Sequence, residues 1–335
     1  MKRLFVLLLA APLALMAQMV IPPPALTSEI TFNYPELKPG APLHLVAYGD
    51  MRFTDPHNTT DTNPRARKFL VDRIAEEHPD ALFLTGDMPF HGADPADWKI
   101  YEQETVAWRA EHLRTFPCIG NHELVGTLSV HPGLTNYFAA YPQLREHATY
   151  SVLLGNVELL SLDSLGDQGT AQPRLAWVAA QLDHIPPQVD FVFVMAHVPI
   201  FDDVQSQVIA HLPSPEGLRL RQLLEEKAAK LRPRLIVVSG HIHNYERFYH
   251  AGITYLISGG GGAKPYPVYI RGDLDLYRDT AYPVFHYLTL DIKGRELTAK
   301  MFKIKDPDPN LKEWTMEQKD SFTLTAPEKA PTASK

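Results

Sequence analysis

Five strand-length apolar runs in this chain stop on a carboxylate, an amide or an imidazole. Leu43–Tyr48 runs into Gly49-Asp50, and Ala81–Thr85 into Gly86-Asp87. Thr115–Ile119 meets Gly120-Asn121-His122-Glu123, Phe191–Ala196 meets His197, and Leu235–Ser239 meets Gly240-His241-Ile242-His243. Such runs read as buried strands. Helical patterns lie between them. Asn63-Pro64 opens one with Ala66, Leu70 and Ile74 on one face, and Asp94-Pro95 opens another with Trp98, Thr105 and Trp108. A third carries Leu175, Val178 and Leu182, and Ser214-Pro215 opens a fourth with Leu220, Leu223, Leu224 and Leu231. A proline fits the first turn of a helix, where its missing N–H is not needed. Repeated strand–helix–strand order specifies an α/β fold with a largely parallel core. Tyr150–Leu154 and Val157–Leu162 read as a hairpin turned at Gly155-Asn156. Ile253–Ser258, Phe285–Ile292 and Glu296–Ile304 read as later strands of a second, more antiparallel sheet.

The chain has 335 residues, 45% hydrophobic and 21% charged, which is ample for a large core and excludes a disordered or collagen-like protein. It has one cysteine and 15 histidines. A lone cysteine, Cys118, allows no internal disulfide and no four-cysteine zinc site, so any metal must be held by histidine and carboxylate. Lys2-Arg3, an apolar run from Leu4 to about Met16 and then Ala17 describe a secretory signal peptide over residues 1–17. Residues 18–42 hold six prolines and read as an extended lead-in. Residues 43–305 read as one domain, and 306–335 as a C-terminal segment with a loose tail from Thr325. Removing residues 1–17 takes the net charge from −7 to −9. That acidity argues against binding a nucleic-acid backbone. No second apolar run follows the first, so the mature chain is expected to lack a membrane span and to be exported, periplasmic or secreted. Oligomeric state is not legible.

In α/β folds, functional groups gather at the carboxyl ends of strands. One Gly-Asp strand ending is a common turn. Five endings with ligand-type side chains, one of them His-x-His, aim those groups at a common point. Carboxylates, imidazoles and an amide oxygen suit divalent or trivalent ions such as Fe, Zn or Mn. An aspartate can bridge two such ions in a hydrolytic site.

The order Gly49-Asp50, Gly86-Asp87, Gly120-Asn121-His122-Glu123, His197, Gly240-His241-Ile242-His243 resembles the calcineurin-like metallophosphoesterase superfamily. The continuation Asn244-Tyr245-Glu246-Arg247, followed by Gly259–Gly262, is similar to its purple acid phosphatase branch. The resemblance implies a four-layer sandwich of two mixed β-sheets flanked by helices. It implies one or two metal ions and hydrolysis of small phosphate esters by metal-activated hydroxide. Asp87 would bridge the metals. Asn121, His197 and His241 would complete the second site, Asp50 and His243 would hold the first, and His122 would assist the leaving group.

Two positions depart from the family. The superfamily usually has Asp-x-His at the first motif, where this chain has Asp50-Met51-Arg52. Arginine stays protonated and cannot ligate. The purple acid phosphatases instead use a tyrosine at Gly-Asp-x-x-Tyr, where this chain has Phe90. Three readings stay open: a weakly held first metal; a substitute donor from His91, Asp55 or His57; or Arg52 taking part of that metal's role by holding a phosphate oxygen. The first, a two-metal site with a weak first position, is the favoured expectation. A monoesterase is favoured over a phosphodiesterase acting on nucleotides or lipid head groups. A phosphate-ligand binding protein without turnover is the rival. Asp163 is a candidate support near the site or equally a turn aspartate, and Gly259–Gly262 reads as a plain tight loop in preference to an anion loop. Leu124–His147 is a candidate lid or substrate wall, whose Tyr137, Phe138 and Tyr141 could stack on an aromatic leaving group, or equally a packed surface loop.

Overall fold

The computed structural model describes residues 30–126, 131–165, 168–202, 212–267, 270 and 272–328. The expected signal peptide and the end of the tail lie outside them. In chain order the strands are β1 (Ile30–Tyr34), β2 (Leu43–Tyr48), β3 (Ala81–Leu84), β4 (Arg114–Pro117), β5 (Tyr150–Leu154), β6 (Val157–Leu162) and β7 (Phe191–Ala196). They continue as β8 (Arg234–Ser239), β9 (Tyr245–His250), β10 (Ile253–Ser258), β11 (His286–Lys293), β12 (Glu296–Ile304) and β13 (Met316–Thr325). The helices are α1 (Pro64–Glu76), α2 (Pro95–Glu104), α3 (Val106–Ala110), α4 (His131–Ala140), α5 (Gln168–Asp183) and α6 (Pro215–Ala228).

The strands form two mixed sheets, ordered β1-β5-β6-β7-β8-β10-β9 and β13-β12-β11-β2-β3-β4. The parallel strands are thus divided between two sheets. The expected second, antiparallel sheet is instead β11–β13, added to the edge of the parallel trio β2-β3-β4. Residues such as Leu45, Phe83, Phe193 and Met195 are fully buried between the sheets, with the rings of Phe83 and Phe193 5.5 Å apart and edge-on. On the outer face of the seven-stranded sheet, Val178, Leu182 and Leu224 of α5 and α6 cover Leu160, Val192 and Val194. Leu70, Val71 and Ile74 of α1 join the other core, and Trp108 of α3 donates its indole N–H to the Val71 carbonyl at 3.0 Å.

The helix starts follow from local chemistry. Asn63, Asp94 and Ser214 each cap a first turn through a side-chain oxygen, accepting from Ala66 N (3.0 Å), Ala96 N (2.9 Å) and Gly217 N (3.0 Å). The Asp94 helix is shorter than its pattern suggests. It ends at Glu104, and Thr105 caps a separate α3, so Trp98 and Trp108 sit on different helices.

One buried charge stands apart. Glu158 of β6 lies on the helix-covered face with 7% exposure, and its Oε2 has no partner among the described residues. Burial pushes its carboxyl up from 4.5 to about 7. Between those values the folded state holds a proton that the unfolded state has released, so ionisation penalises folding as pH rises. Glu158→Gln is therefore expected to gain stability over wild type as pH rises through that window, by about 3 kcal/mol. Urea unfolding on either side of the window measures it, and a difference that does not change with pH would show a solvated or paired carboxylate.

Candidate metal centre

Each sheet supplies adjacent parallel strands whose carboxyl ends meet. Asp50 follows β2, Asp87 follows β3, and Asn121 opens a 3-10 turn after β4. From the opposite sheet, His197 follows β7, and His241 and His243 follow β8. Ligand-type atoms of Asp50, Asp87 and His197, all fully buried, lie within 4.8 Å of one another. The glycines ahead of the ligands make this approach possible. A Cβ on Gly120 would meet Asp87 Oδ1 at 2.3 Å, and one on Gly240 would meet Asp50 Oδ2 at 2.3 Å. Asp50, Asp87 and His241 themselves adopt left-handed backbone (φ 59°, 55° and 69°), which turns each side chain back across the sheet ends.

The hydrogen bonds determine which ring nitrogens face inward. His197 Nδ1 lies 2.8 Å from the Thr85 carbonyl, which can only accept, so Nδ1 carries the proton. Nε2 of the neutral ring is then a bare lone pair. It faces Asn121 Oδ1 at 3.1 Å and Asp87 Oδ1 at 3.2 Å. Burial holds the ring neutral, its pKa pushed down to about 4. Asn121 Oδ1 is also 2.9 Å from His241 Nδ1. His243 repeats the arrangement: Nδ1 donates to the Lys264 carbonyl at 2.7 Å, and buried Nε2 has no hydrogen-bond partner among the described residues. That Nε2 lies 3.6 Å from Asp50 Oδ1, and the ring stacks on Tyr266 at 4.5 Å. Lone pairs converging in a dry site repel unless a cation lies among them, so these residues fit a metal ion of nitrogen and oxygen preference.

The carboxylates support the same conclusion. Two unit charges within about 5 Å repel by roughly 3 kcal/mol even at an effective dielectric of 20. Burial, and next the Asp87 charge, push the Asp50 carboxyl well above its ordinary range. Burial also opposes the charge on Asp87, but His197, His122 and Arg52 outweigh it and hold that carboxyl below its ordinary range. Of these three, only Arg52 is charged at every pH of interest. Its Nη2 lies 3.2 Å from Asp87 Oδ2.

His122 touches the cluster through its backbone: its N–H donates to Asp87 Oδ1 at 2.9 Å. Its Nδ1 donates to the Phe90 carbonyl at 2.6 Å, leaving Nε2 as the face open to a ligand. Burial lowers its pKa. Glu123 is a residue that sequence reasoning quoted without a role. Its carboxyl accepts from three backbone N–H groups, Asp87 (3.1 Å), Met88 (2.8 Å) and Gly120 (2.6 Å), and so ties the second and third motifs together. Burial, then the Asp87 charge, push it up to about 8 against the pull of those donors.

Several candidates lie elsewhere. Asp55 and His57 pair with each other on the surface at 2.8 Å. His91 faces Asp97 at 3.5 Å and packs against the Phe90 ring, so neither alternative supplies Asp50 or His243 with a further donor. Tyr137 and Tyr141 are buried, their hydroxyls bonded to the Pro117 carbonyl and the Tyr101 hydroxyl; they form core, not a stacking wall. Asp163 accepts from Leu165 N at 3.0 Å as a turn aspartate. Gly259 and Gly261 donate to the Asn244 and Gly49 carbonyls, so the glycine run is a tight loop stitching strand ends. Cys118 is buried, and burial raises its thiol well above the usual range, as for an inert thiol.

A family model described as calcineurin-like phosphoesterase matches residues 52–245. The chain is 23% identical over 260 residues to a probable purple acid phosphatase 20 of Arabidopsis thaliana, covering 71% of this chain and 56% of that protein. It is 21% identical over 296 residues to a phosphoenolpyruvate phosphatase of Allium cepa, covering 82% and 53%. The chain spans about half the length of these curated relatives. Among solved structures, the purple acid phosphatase PPD1 of yellow lupin (Lupinus luteus) superposes with a TM-score of 0.64 at 18% identity, covering 85% of this chain and 54% of that one. Among the described residues no helix is long and apolar enough to cross a membrane. Ordered ligand-type strand ends on two mixed sheets, and a family match over more than half the chain, lead to one conclusion: the chain belongs to the calcineurin-like phosphoesterase family, and its likeness runs to the purple acid phosphatases.

Proposed function

We propose that the chain is an exported, metal-dependent phosphoesterase, acting as an acid-phosphatase-like monoesterase on small phosphate esters. The observation that carries this reading is the His197 Nε2 lone pair set against Asp87 Oδ1 and Asn121 Oδ1. Asp87, Asn121, His197 and His241 would hold a metal ion, with Asp50 and His243 beside them. The catalytic domain centres on residues 43–305, with β1 and β13 completing its sheets, behind a signal peptide that ends near residue 17. The metal, when bound, activates water and neutralises charge on the phosphoryl group.

The remaining chemistry belongs to the chain's own side chains. Arg52, bonded to Asp87 through Nη2, brings its positive charge to the phosphoryl group. A guanidinium suits a phosphoryl group because its fork matches two oxygens at once. His122, anchored through Nδ1, moves a proton at Nε2, where the leaving oxygen departs. Glu123 keeps the loops after β3 and β4 in register, so Asp87 and His122 stay aligned.

The test is hydrolysis of an aryl phosphate monoester and the matching diester by protein loaded with Zn, Mn or Fe. Monoester turnover is expected to exceed diester turnover, to vanish with a chelator, and to return on adding metal. Preferred diester cleavage would indicate a phosphodiesterase. Bound metal without turnover of either ester would indicate a phosphate-ligand binding protein.

A further inference from the structure

The geometry points to Arg52 as a built-in cation that takes the place of one metal, so that this site holds a single ion on its Asn121/His197/His241 side. The inference rests on the metal-dependent reading above and assigns its stoichiometry.

The two halves of the cluster are unequally furnished. On one side, Asn121 Oδ1, His197 Nε2, His241 Nδ1 and Asp87 Oδ1 stand within 2.9–3.2 Å of a neighbour in the set. That is a full four-donor arrangement. On the other side Asp50 and His243 approach each other at 3.6 Å, and Asp50 lies within 4.8 Å of Asp87 and His197. The carboxylate oxygen of Asp87 not used by the first group, Oδ2, is bonded to the Arg52 guanidinium at 3.2 Å. A metal shared by Asp50, His243 and Asp87 would have to compete with that positive charge for the same oxygen.

Arg52 is not a loose surface side chain that a metal would displace at little cost. Its backbone sits in left-handed conformation (φ 49°), and its N–H donates to the Asp87 carbonyl at 3.0 Å. Its own carbonyl accepts from Nη1 of Arg67, which is fully buried and paired with Glu104 at 2.7 Å. The next residue, Phe53, bridges to the loop after β3, donating to the Met88 carbonyl at 2.6 Å. The side chain is 14% exposed. The guanidinium is therefore fixed over Asp87 by the fold of the first two ligand loops. It also engages Asp87 Oδ2, the oxygen that an ion beside Asp50 and His243 would share.

Metal content per chain, read by elemental analysis and by titration with Zn²⁺ or Mn²⁺, tests the inference without reference to turnover. Wild type is expected to saturate at one ion per chain. Arg52→His, which replaces the charge with an imidazole donor, is expected to saturate at two. Arg52→Gln, which removes the charge without supplying an imidazole, is expected to take a second ion only at raised metal concentration, and it keeps the test open if Arg52→His does not fold. Wild type saturating at two ions overturns the inference while leaving the phosphoesterase reading intact. So does a folded Arg52→His or Arg52→Gln that stays at one ion under excess metal. Wild type that binds no ion overturns both.

Discussion

Asp87→Asn is expected to leave a folded protein that no longer retains metal. Asp87 reaches both halves of the cluster: Oδ1 meets the His122 N–H and His197 Nε2, and Oδ2 meets Arg52. An asparagine keeps the shape but loses the negative charge, and its amide group must point two hydrogens at either Arg52 or His122. Removing a group that only supports a ligand typically costs 10–100-fold in affinity. Loss of a charged ligand is expected to cost at least about 100-fold. Two readouts check this. Metal content after dialysis should fall to background, and the melting temperature should stop responding to added metal. For wild type, metal at about 100 times its dissociation constant adds roughly 2.7 kcal/mol of stability. An Asp87→Asn protein with wild-type metal content would remove Asp87 from the ligand set.

His122→Ala is expected to have the opposite profile: unchanged metal content with turnover lowered by about 10²–10⁴. The reason is structural. The link from this residue to the cluster is its backbone N–H on Asp87 Oδ1, which alanine retains. What alanine removes is the imidazole, anchored at Nδ1 by the Phe90 carbonyl and open at Nε2. The loss should fall on kcat more than on KM, because a proton transferred to the leaving oxygen matters in the transition state. Metal analysis beside steady-state kinetics on an aryl phosphate separates this from simple loss of the site. Full turnover in a His122→Ala protein would exclude the proton-transfer role.

The contrast between these variants shows what was legible in the sequence. The ligand-type residues were, because each stands at the end of an apolar run and the runs are strands. The caps at Asn63, Asp94 and Ser214 were legible too, since capping is a local affair. Strands β1, β9 and β13 were not. β13 reads Met-Glu-Gln-Lys-Asp-Ser-Phe-Thr-Leu-Thr and is half-exposed along its length at a sheet edge, so it carries no apolar run. β9 begins two residues after His243, and its alternation of aromatic and charged residues was read as a continuation of the motif. The grip of Glu123 on three backbone N–H groups was also invisible, because backbone donors leave no trace in side-chain spacing, and two of them lie on the loop after β3. Arg52 lies between these cases. Its identity marked a departure from the family pattern, but its bond to Asp87, 35 residues away, needed the fold. Tyr137 and Tyr141 erred in the other direction: aromatic residues near a site motif suggested a substrate wall, and burial assigned them to the core.

The ligand cluster is also a seam. Asp50, Asp87 and Asn121 come from one sheet, His197 and His241 from the other, and the His241 N–H reaches Asp50 across 191 residues of sequence at 3.0 Å. Each sheet carries only part of the ligand set. Contacts of such separation form only after long loops have closed. An ion that needs both parts is therefore held only late in folding. It can only register that both sheets have docked, which makes ion capture a checkpoint on assembly: a molecule with one sheet slipped by a residue would fold its strands and still be unable to hold the ion.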